Sequence, residues 1–302
     1  MFCLELAVLL HRALEARVEA LMQLLAGPGW QEDPDRLHDV RVASRRLRAV
    51  LDLVEPDIYP GHRRQARRLR RLTRALGRTR ELDVHMGIVE DLARRVPDLD
   101  GGPALEHLLE VVGRRQRRAR RAMAASLEGL CLKRLPRLLQ VPSLPDPFRA
   151  GDLPAAVWSC LEPWLDGAFP PPDLLDRDEP AALHALRIRV KRLRYALEVL
   201  GAGFQAFPEA QLRQLRALQT ALGYHHDLAT LEAFLARRRQ GLEERGRVHL
   251  AAGAASLLVH LGEERQIAFE QYRALAVGTD RGAFLAGLRQ DLGLAEAGAG
   301  TP

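Results

Sequence analysis

Apolar residues recur along this chain at three- and four-residue spacing, and no stretch shows the two-residue alternation of a half-buried strand. The pattern predicts an all-α protein with helices over about 2–26, 35–54, 58–76, 80–96, 103–130, 152–168, 180–200, 207–222, 226–240, 243–276 and 280–292. Asp33-Pro34 reads as an N-cap followed by the first helical residue, and Asp178 with Glu179-Pro180 repeats that start. Leu76-Gly77 and Leu222-Gly223 read as helix stops, with glycine supplying a left-handed residue. Turns would then hold Arg78–Asp83 and Tyr224–Asp227. The prolines at 142, 145 and 147 make 142–147 a linker, the proline-rich 170–180 stretch a long loop, and 296–302 a flexible tail.

Two of these helices carry nearly the same text. His38-Asp39-Val40-Arg41-Val42-Ala43-Ser44-Arg45-Arg46-Leu47-Arg48 returns 146 residues later as His184-Ala185-Leu186-Arg187-Ile188-Arg189-Val190-Lys191-Arg192-Leu193-Arg194. At about 100° per residue, Arg41, Arg45 and Arg48 fall within roughly 80° of His38. Leu37, Val40, Leu47 and Leu51 occupy the adjoining arc, which buries. The second copy sets His184, Arg187, Lys191 and Arg194 beside Leu183, Leu186, Val190, Leu193 and Leu197. A cationic arc beside the apolar arc suits the wall of a groove between helices. Arg48 and Arg194 sit at the edge nearest the leucines, and Arg46 and Arg192 lie about 160° from it. The first pair is therefore expected to matter more for an anion than the second.

The register continues. Arg67 maps to Arg213, Arg70 to Arg216, and Ala75-Leu76-Gly77 to Ala221-Leu222-Gly223, so the repeat is a structural duplication. Arg63, Arg67, Arg70 and Arg74 share one face about 60° wide, and Glu209 and Thr220 replace the outer two in the second copy. Shifting 148–172 back by the same interval returns the first helix, which would place Trp158 and Trp164 on a broken counterpart of it.

The net charge of +6 points to an anionic partner, and its distribution says more. Residues 34–121 hold 22 arginines against 13 acids, and only Lys133 and Lys191 of the 45 cations are lysine. Guanidinium forks match phosphate oxygens, although a coding bias towards arginine would leave the same mark. Arg114, Arg118 and Arg121 belong to a helix ringed by arginine, and half of that ring must be solvated.

The twice-repeated ladder, each copy followed by Leu-Gly-x-x-x-(Glu/Asp), resembles the CHAD family, the conserved histidine α-helical domain. The resemblance covers nearly the whole chain. It implies two pseudo-symmetric four-helix halves, 1–141 and 148–295, forming one domain over 1–295 with a shared central basic cavity. It also implies binding of inorganic polyphosphate and targeting to polyphosphate granules. On that reading the binding residues are His38, Arg41, Arg45, Arg48, Arg67, Arg70, Arg74, His184, Arg187, Lys191, Arg194, Arg213 and Arg216, with Arg63, Arg114, Arg118 and Arg121 as outer candidates. The chain departs from the family at Glu81, where aspartate is common, and at Tyr224-His225-His226-Asp227, where Asp83 finds no partner.

Other chemistry is less well served. The chain has no phosphate-cradling Gly-x-x-x-x-Gly-Lys-(Ser/Thr) loop and no nucleophile beside a base, so neither enzyme, cofactor nor metal is expected. His225-His226-Asp227 and His38-Asp39 could together suggest an HD-type metal phosphohydrolase, but His184 has Ala185 where His38 has Asp39. His226 is read as a turn or capping residue. Nucleic acid is the alternative polyanion, with Tyr195 the lone aromatic on the basic helices available to stack on a base. Cys3, Cys131 and Cys160 lack metal spacing or a disulfide framework, the N-terminus does not read as a signal peptide, and the longest apolar run, 250–259, is too short to span a bilayer. A cytoplasmic protein away from the membrane is the expectation.

Overall fold

The computed structural model describes residues 3–54, 59, 61–95, 102–130, 135–141 and 150–294. The linker 142–147, the tail 296–302 and Cys131 lie outside the described residues. Within them the fold is all-α, with helices α1 Leu4–Ala26, α2 Pro34–Leu53, α3 His62–Arg95, α4 Gly102–Gly129, α5 Leu135–Leu138, α6 Leu153–Leu165, α7 Asp173–Asp176, α8 Pro180–Leu200, α9 Glu209–Glu243, α10 Val248–Val277 and α11 Arg281–Leu292. Trp158 and Trp164 both lie on α6, and α7 is a single turn inside the proline-rich loop.

Asp33 caps α2 as its sequence position requires, accepting from the Asp35 and Arg36 amides, with Pro34 at the first helical position. The second start differs. Glu179 is the N-cap of α8 and its side chain makes no capping bond. Asp178 instead accepts from His225 Nε2 at 2.7 Å and pairs with Arg265, which also reaches Glu232 at 2.9 Å. These bonds tie the entry of α8 to α9 and α10. Arg120 does a similar task before α2, donating to Gln31 O at 2.9 Å, Glu32 O at 2.7 Å and Asp83 at 3.2 Å.

The expected breaks at Gly77 and Gly223 do not exist. α3 runs unbroken for 34 residues and α9 for 35, each about 50 Å long. Neither glycine takes a positive φ. Arg78–Asp83 and Tyr224–Asp227 are therefore helical, and His226 lies within α9 and caps nothing. A leucine-glycine pair is a stop signal only when local preference decides. Here the apolar spacing carries on through it, with Leu82, Val89 and Leu92 buried beyond Gly77 and Leu228, Leu231 and Leu235 beyond Gly223.

Packing these long helices produces two buried apolar clusters. One gathers Leu10, Leu47 and Leu69 with Val190, Leu193, Leu215 and Tyr272. The other joins Leu82, Leu108 and Val112 to Leu228, Leu231, Leu257 and Leu261. Each cluster draws on both halves of the sequence. α3 and α9 run from one cluster to the other, α2 packs on α8, and α10 packs along α9 and across α4.

Candidate functional site

The contact between α2 and α8 brings the two cationic ladders to one place. A cavity of about 220 Å³ opens there, walled by Arg45, Arg48 and Asp52 of α2 and by Lys191, Arg192 and Tyr195 of α8. Arg41 and Arg187 are half-buried at equivalent positions of the two ladders. Arg41 donates to Thr73 O at 3.3 Å, and a side-chain bond of 3.2 Å between Ser44 and Thr73 closes the α2–α3 seam beside it. Burial first, then Arg45, Arg187 and Arg80, push Arg41 down to about 10.

The two glycines find their explanation here. A Cβ on Gly77 would stand 3.6 Å from Arg41 Nη1, and one on Gly223 would stand 3.5 Å from Arg187 Nε. A methyl group would touch the guanidinium, and any longer side chain would take its place. Each glycine is thus a shelf in an unbroken helix over which a ladder arginine lies.

Lys191 is the most strained charge of the set. No hydrogen bond or ion pair to it occurs among the described residues. Burial and then Arg45, Arg187, Arg41 and Arg48 push its ammonium down to about 7. His38 is held below the usual imidazole range by burial and by Arg80, and His184 by burial, Arg187 and Lys191. His38 Nδ1, His184 Nδ1, Arg45 Nε and Arg187 Nε are buried without hydrogen-bond partners. Four nitrogens from two helices therefore keep their bonding capacity at a site crowded with positive charge, an arrangement that a multivalent oxyanion would relieve.

Three residues join this site that the ladder pattern does not contain. Arg80 acts on His38, and the residue 146 positions later, His226, stacks on His184 with ring centroids 4.0 Å apart. Burial first, then His184, Arg187, His225 and His85, push His226 down to about 4. Asp227 is raised by burial against the pull of Arg187, Arg80 and Arg41, and is a carboxylate set among these cations. The repeat register was the signal for the first two, since positions 80 and 226 are equivalent.

The remaining predicted residues divide. Arg48 lies against Asp52 at 3.9 Å and faces the cavity. Arg194 does not hold a free guanidinium there. It is 9% exposed, donates to Gln219 at 2.9 Å and to Glu198 at 2.7 Å, and lies 4.5 Å from the Tyr195 ring. Glu198 also draws Arg46 to 3.7 Å, while Arg192, expected away from the groove, stands exposed at the cavity rim. Arg63, Arg67, Arg70, Arg74 and Arg213 are exposed on α3 and α9, and Arg216 pairs with Glu209 at 2.8 Å. Arg114, Arg118 and Arg121 are exposed on α4, with Arg114 paired to Glu110 at 2.6 Å. The Arg194 geometry predicts that Arg194→Ala lowers stability by roughly 2–4 kcal/mol, because it leaves a buried void and leaves Glu198 with only the longer contact to Arg46. Arg48→Ala should lower it by less than about 1 kcal/mol. Urea denaturation of the two variants checks this, and equal losses would refute the structural role of Arg194.

Among the described residues no group of three His, Cys, Asp or Glu side chains could hold a metal ion. No helix among them is long and apolar enough to cross a membrane.

Residues 12–236 match the CHAD domain family. No curated protein matches the chain. Among solved structures the fold is similar to the CHAD domain from the plant Ricinus communis, with 23% identity, a TM-score of 0.64 and coverage of 91% of this chain and 92% of that one. It is also similar to PptA from Streptomyces chartreusis, with 19% identity, a TM-score of 0.61 and coverage of 88% and 98%. At these identities the likeness concerns the fold.

Proposed function

The chain belongs to the CHAD family, and on that premise we propose that it is a non-enzymatic binding protein for inorganic polyphosphate. The observation that carries this reading is Lys191, an ammonium whose strongest charged neighbours, Arg45, Arg187, Arg41 and Arg48, are all cations from two facing helices. Such a cluster is unfavourable alone and favourable around a polymer of phosphates, which supplies dense charge and many acceptor oxygens. The family and the lack of a metal-holding cluster among the described residues support a protein without catalytic activity.

On the same reading the chain is one domain over 1–295, its halves 1–141 and 148–295 are pseudo-symmetric, and the α2–α8 cavity is their shared basic centre. Arg41 over Gly77 matches Arg187 over Gly223, and Arg80 beside His38 matches His226 beside His184, which supports the equivalence. Association with polyphosphate granules in the cytoplasm follows as the cellular setting of the proposal.

Nucleic acid is the weaker partner. Tyr195, the aromatic that would stack on a base, is 5% exposed and lies between Arg45 and Arg194. A metal phosphohydrolase fares worse, since His225 is spent on Asp178 and Asp39 is exposed. Fluorescence titration with long-chain polyphosphate, duplex DNA and single-stranded RNA at several salt concentrations decides. Polyphosphate should bind at least about tenfold tighter than either nucleic acid of equal charge, with affinity falling as salt rises. Equal affinities would replace this reading by general polyanion binding.

A further inference from the structure

A second group of guanidiniums stands on the face formed by α3, α4 and α9. At its centre is Arg115, whose Cζ lies 4.5 Å from the Phe234 ring centroid. The charged groups that act on Arg115 most are Arg78, Arg238, Arg237 and Arg118, and all are cations. Arg238 Nη2 approaches His107 Nε2 at 3.2 Å, and Arg238 Nε is buried without a hydrogen-bond partner. A guanidinium only donates, so His107 Nε2 accepts this bond, and burial and Arg238 keep His107 below the usual imidazole range. Two carboxylates on the same helices are already paired with other arginines, Glu110 with Arg114 at 2.6 Å and Glu243 with Arg239 at 3.2 Å.

This group differs from an ordinary solvated basic face in two respects. Two of its guanidiniums are already positioned, one over an aromatic ring and one against an imidazole, so an anion need not order them. It is also connected to the ladder cavity. Arg70, Arg74 and Arg78 follow one another at four-residue spacing on α3, all exposed, over a length of about 12 Å. Arg70 acts on Arg48 at the cavity, and Arg78 acts on Arg115 at the second group. A row of positive charge therefore runs between them on one rigid helix.

We infer that Arg78, Arg115, Arg118, Arg237 and Arg238 form a second phosphate-binding site, and that one phosphate chain of sufficient length occupies it together with the ladder cavity. The inference rests on the proposed function and adds a consequence, which is selection by chain length. A short chain fills the cavity alone. A long one gains the second site at the high effective concentration that tethering supplies.

Isothermal titration with inorganic polyphosphate of two lengths, a few residues and about one hundred, tests it on the full chain. In Arg115→Gln combined with Arg237→Gln, affinity for the long chain should fall at least about fivefold, and the slope of log affinity against log salt should flatten by about 1–2. Affinity for the short chain should change less than about twofold. Arg12→Gln with Arg189→Gln removes the same charge from exposed positions on α1 and α8 and should leave both nearly unchanged. Equal losses in the two double variants, or equal losses for the two chain lengths, would overturn the second site while polyphosphate binding itself stood. Failure of the unmodified protein to bind either length would remove the function and this site together. A loss for single-stranded RNA with none for polyphosphate would overturn the site's assignment to phosphate chains.

Discussion

Arg41→Gln combined with Arg187→Gln is expected to lower affinity for long-chain polyphosphate by at least about 100-fold. Both guanidiniums are half-buried on the ladder faces, and neither has a carboxylate hydrogen bond among the described residues. A charged hydrogen bond in such a place contributes about 1.5–3 kcal/mol, and two lost bonds convert to a factor of roughly 100 or more. Arg12→Gln with Arg189→Gln supplies the comparison at equal net charge and should reduce affinity less than about threefold. Arg187→Lys tests charge against shape at one site. It keeps Asp227 compensated but gives up the planar fork, so it should recover part of the loss. Circular dichroism melts of each variant separate binding from folding. Equal affinity losses in the two double variants would show that net charge alone governs binding and that the ladder face has no special part.

The second large effect is on pH. Lys191 sits near 7 in the free protein, and a bound phosphate chain raises it again by supplying the missing negative charge. Binding above that pH therefore takes up a proton, and affinity should fall as pH rises from about 7 towards 9, by up to tenfold per unit. The groups facing Lys191 are Arg45, Arg187, Arg41 and Arg48, with Asp52, Arg192 and Tyr195 on the same cavity wall. His38 and His184 are lowered in the free protein by burial and neighbouring cations, so their part of the fall begins at more acidic pH than that of Lys191. Lys191→Arg should flatten the profile at high affinity, and Lys191→Gln should flatten it at low affinity. Stability without ligand runs the other way. The folded-state value lies below the unfolded one of 10.5, so the unfolded chain holds more protons between about 7 and 10.5, and the Lys191 contribution favours folding as pH rises through that window. A wild-type affinity that stays level from pH 7 to 9 would show that Lys191 remains charged throughout.

Much of this was legible in the apolar spacing. Helices α1, α2, α4, α8 and α11 fall within a few residues of where the pattern puts them. Gly77 and Gly223 misled for a physical reason. Their small size serves an arginine arriving from another helix, and a local reading sees only the loss of helix preference. Asp178 and His226 were misread in the same way, as capping residues, because their partners Arg265 and His184 are distant in sequence. Arg194 was different. The wheel rightly put it at the least solvated edge, and its neutraliser was available four residues on, at Glu198, as Asp52 was for Arg48. The second arginine group needed tertiary structure, since Arg78, Arg115 and Arg237 meet only when three helices pack.

The interleaving of the two apolar clusters has a consequence for synthesis. During translation the first half emerges with Leu82, Leu108 and Val112 lacking Leu228, Leu231 and Leu257, and with α2 lacking α8. The faces of its helices that pack on the second half stay uncovered until that half is made, and neighbouring nascent chains can join them. The paired cationic surface then comes together only with the late closure of distant segments, so a truncated product from this message presents arginine-rich helices but not the assembled cavity.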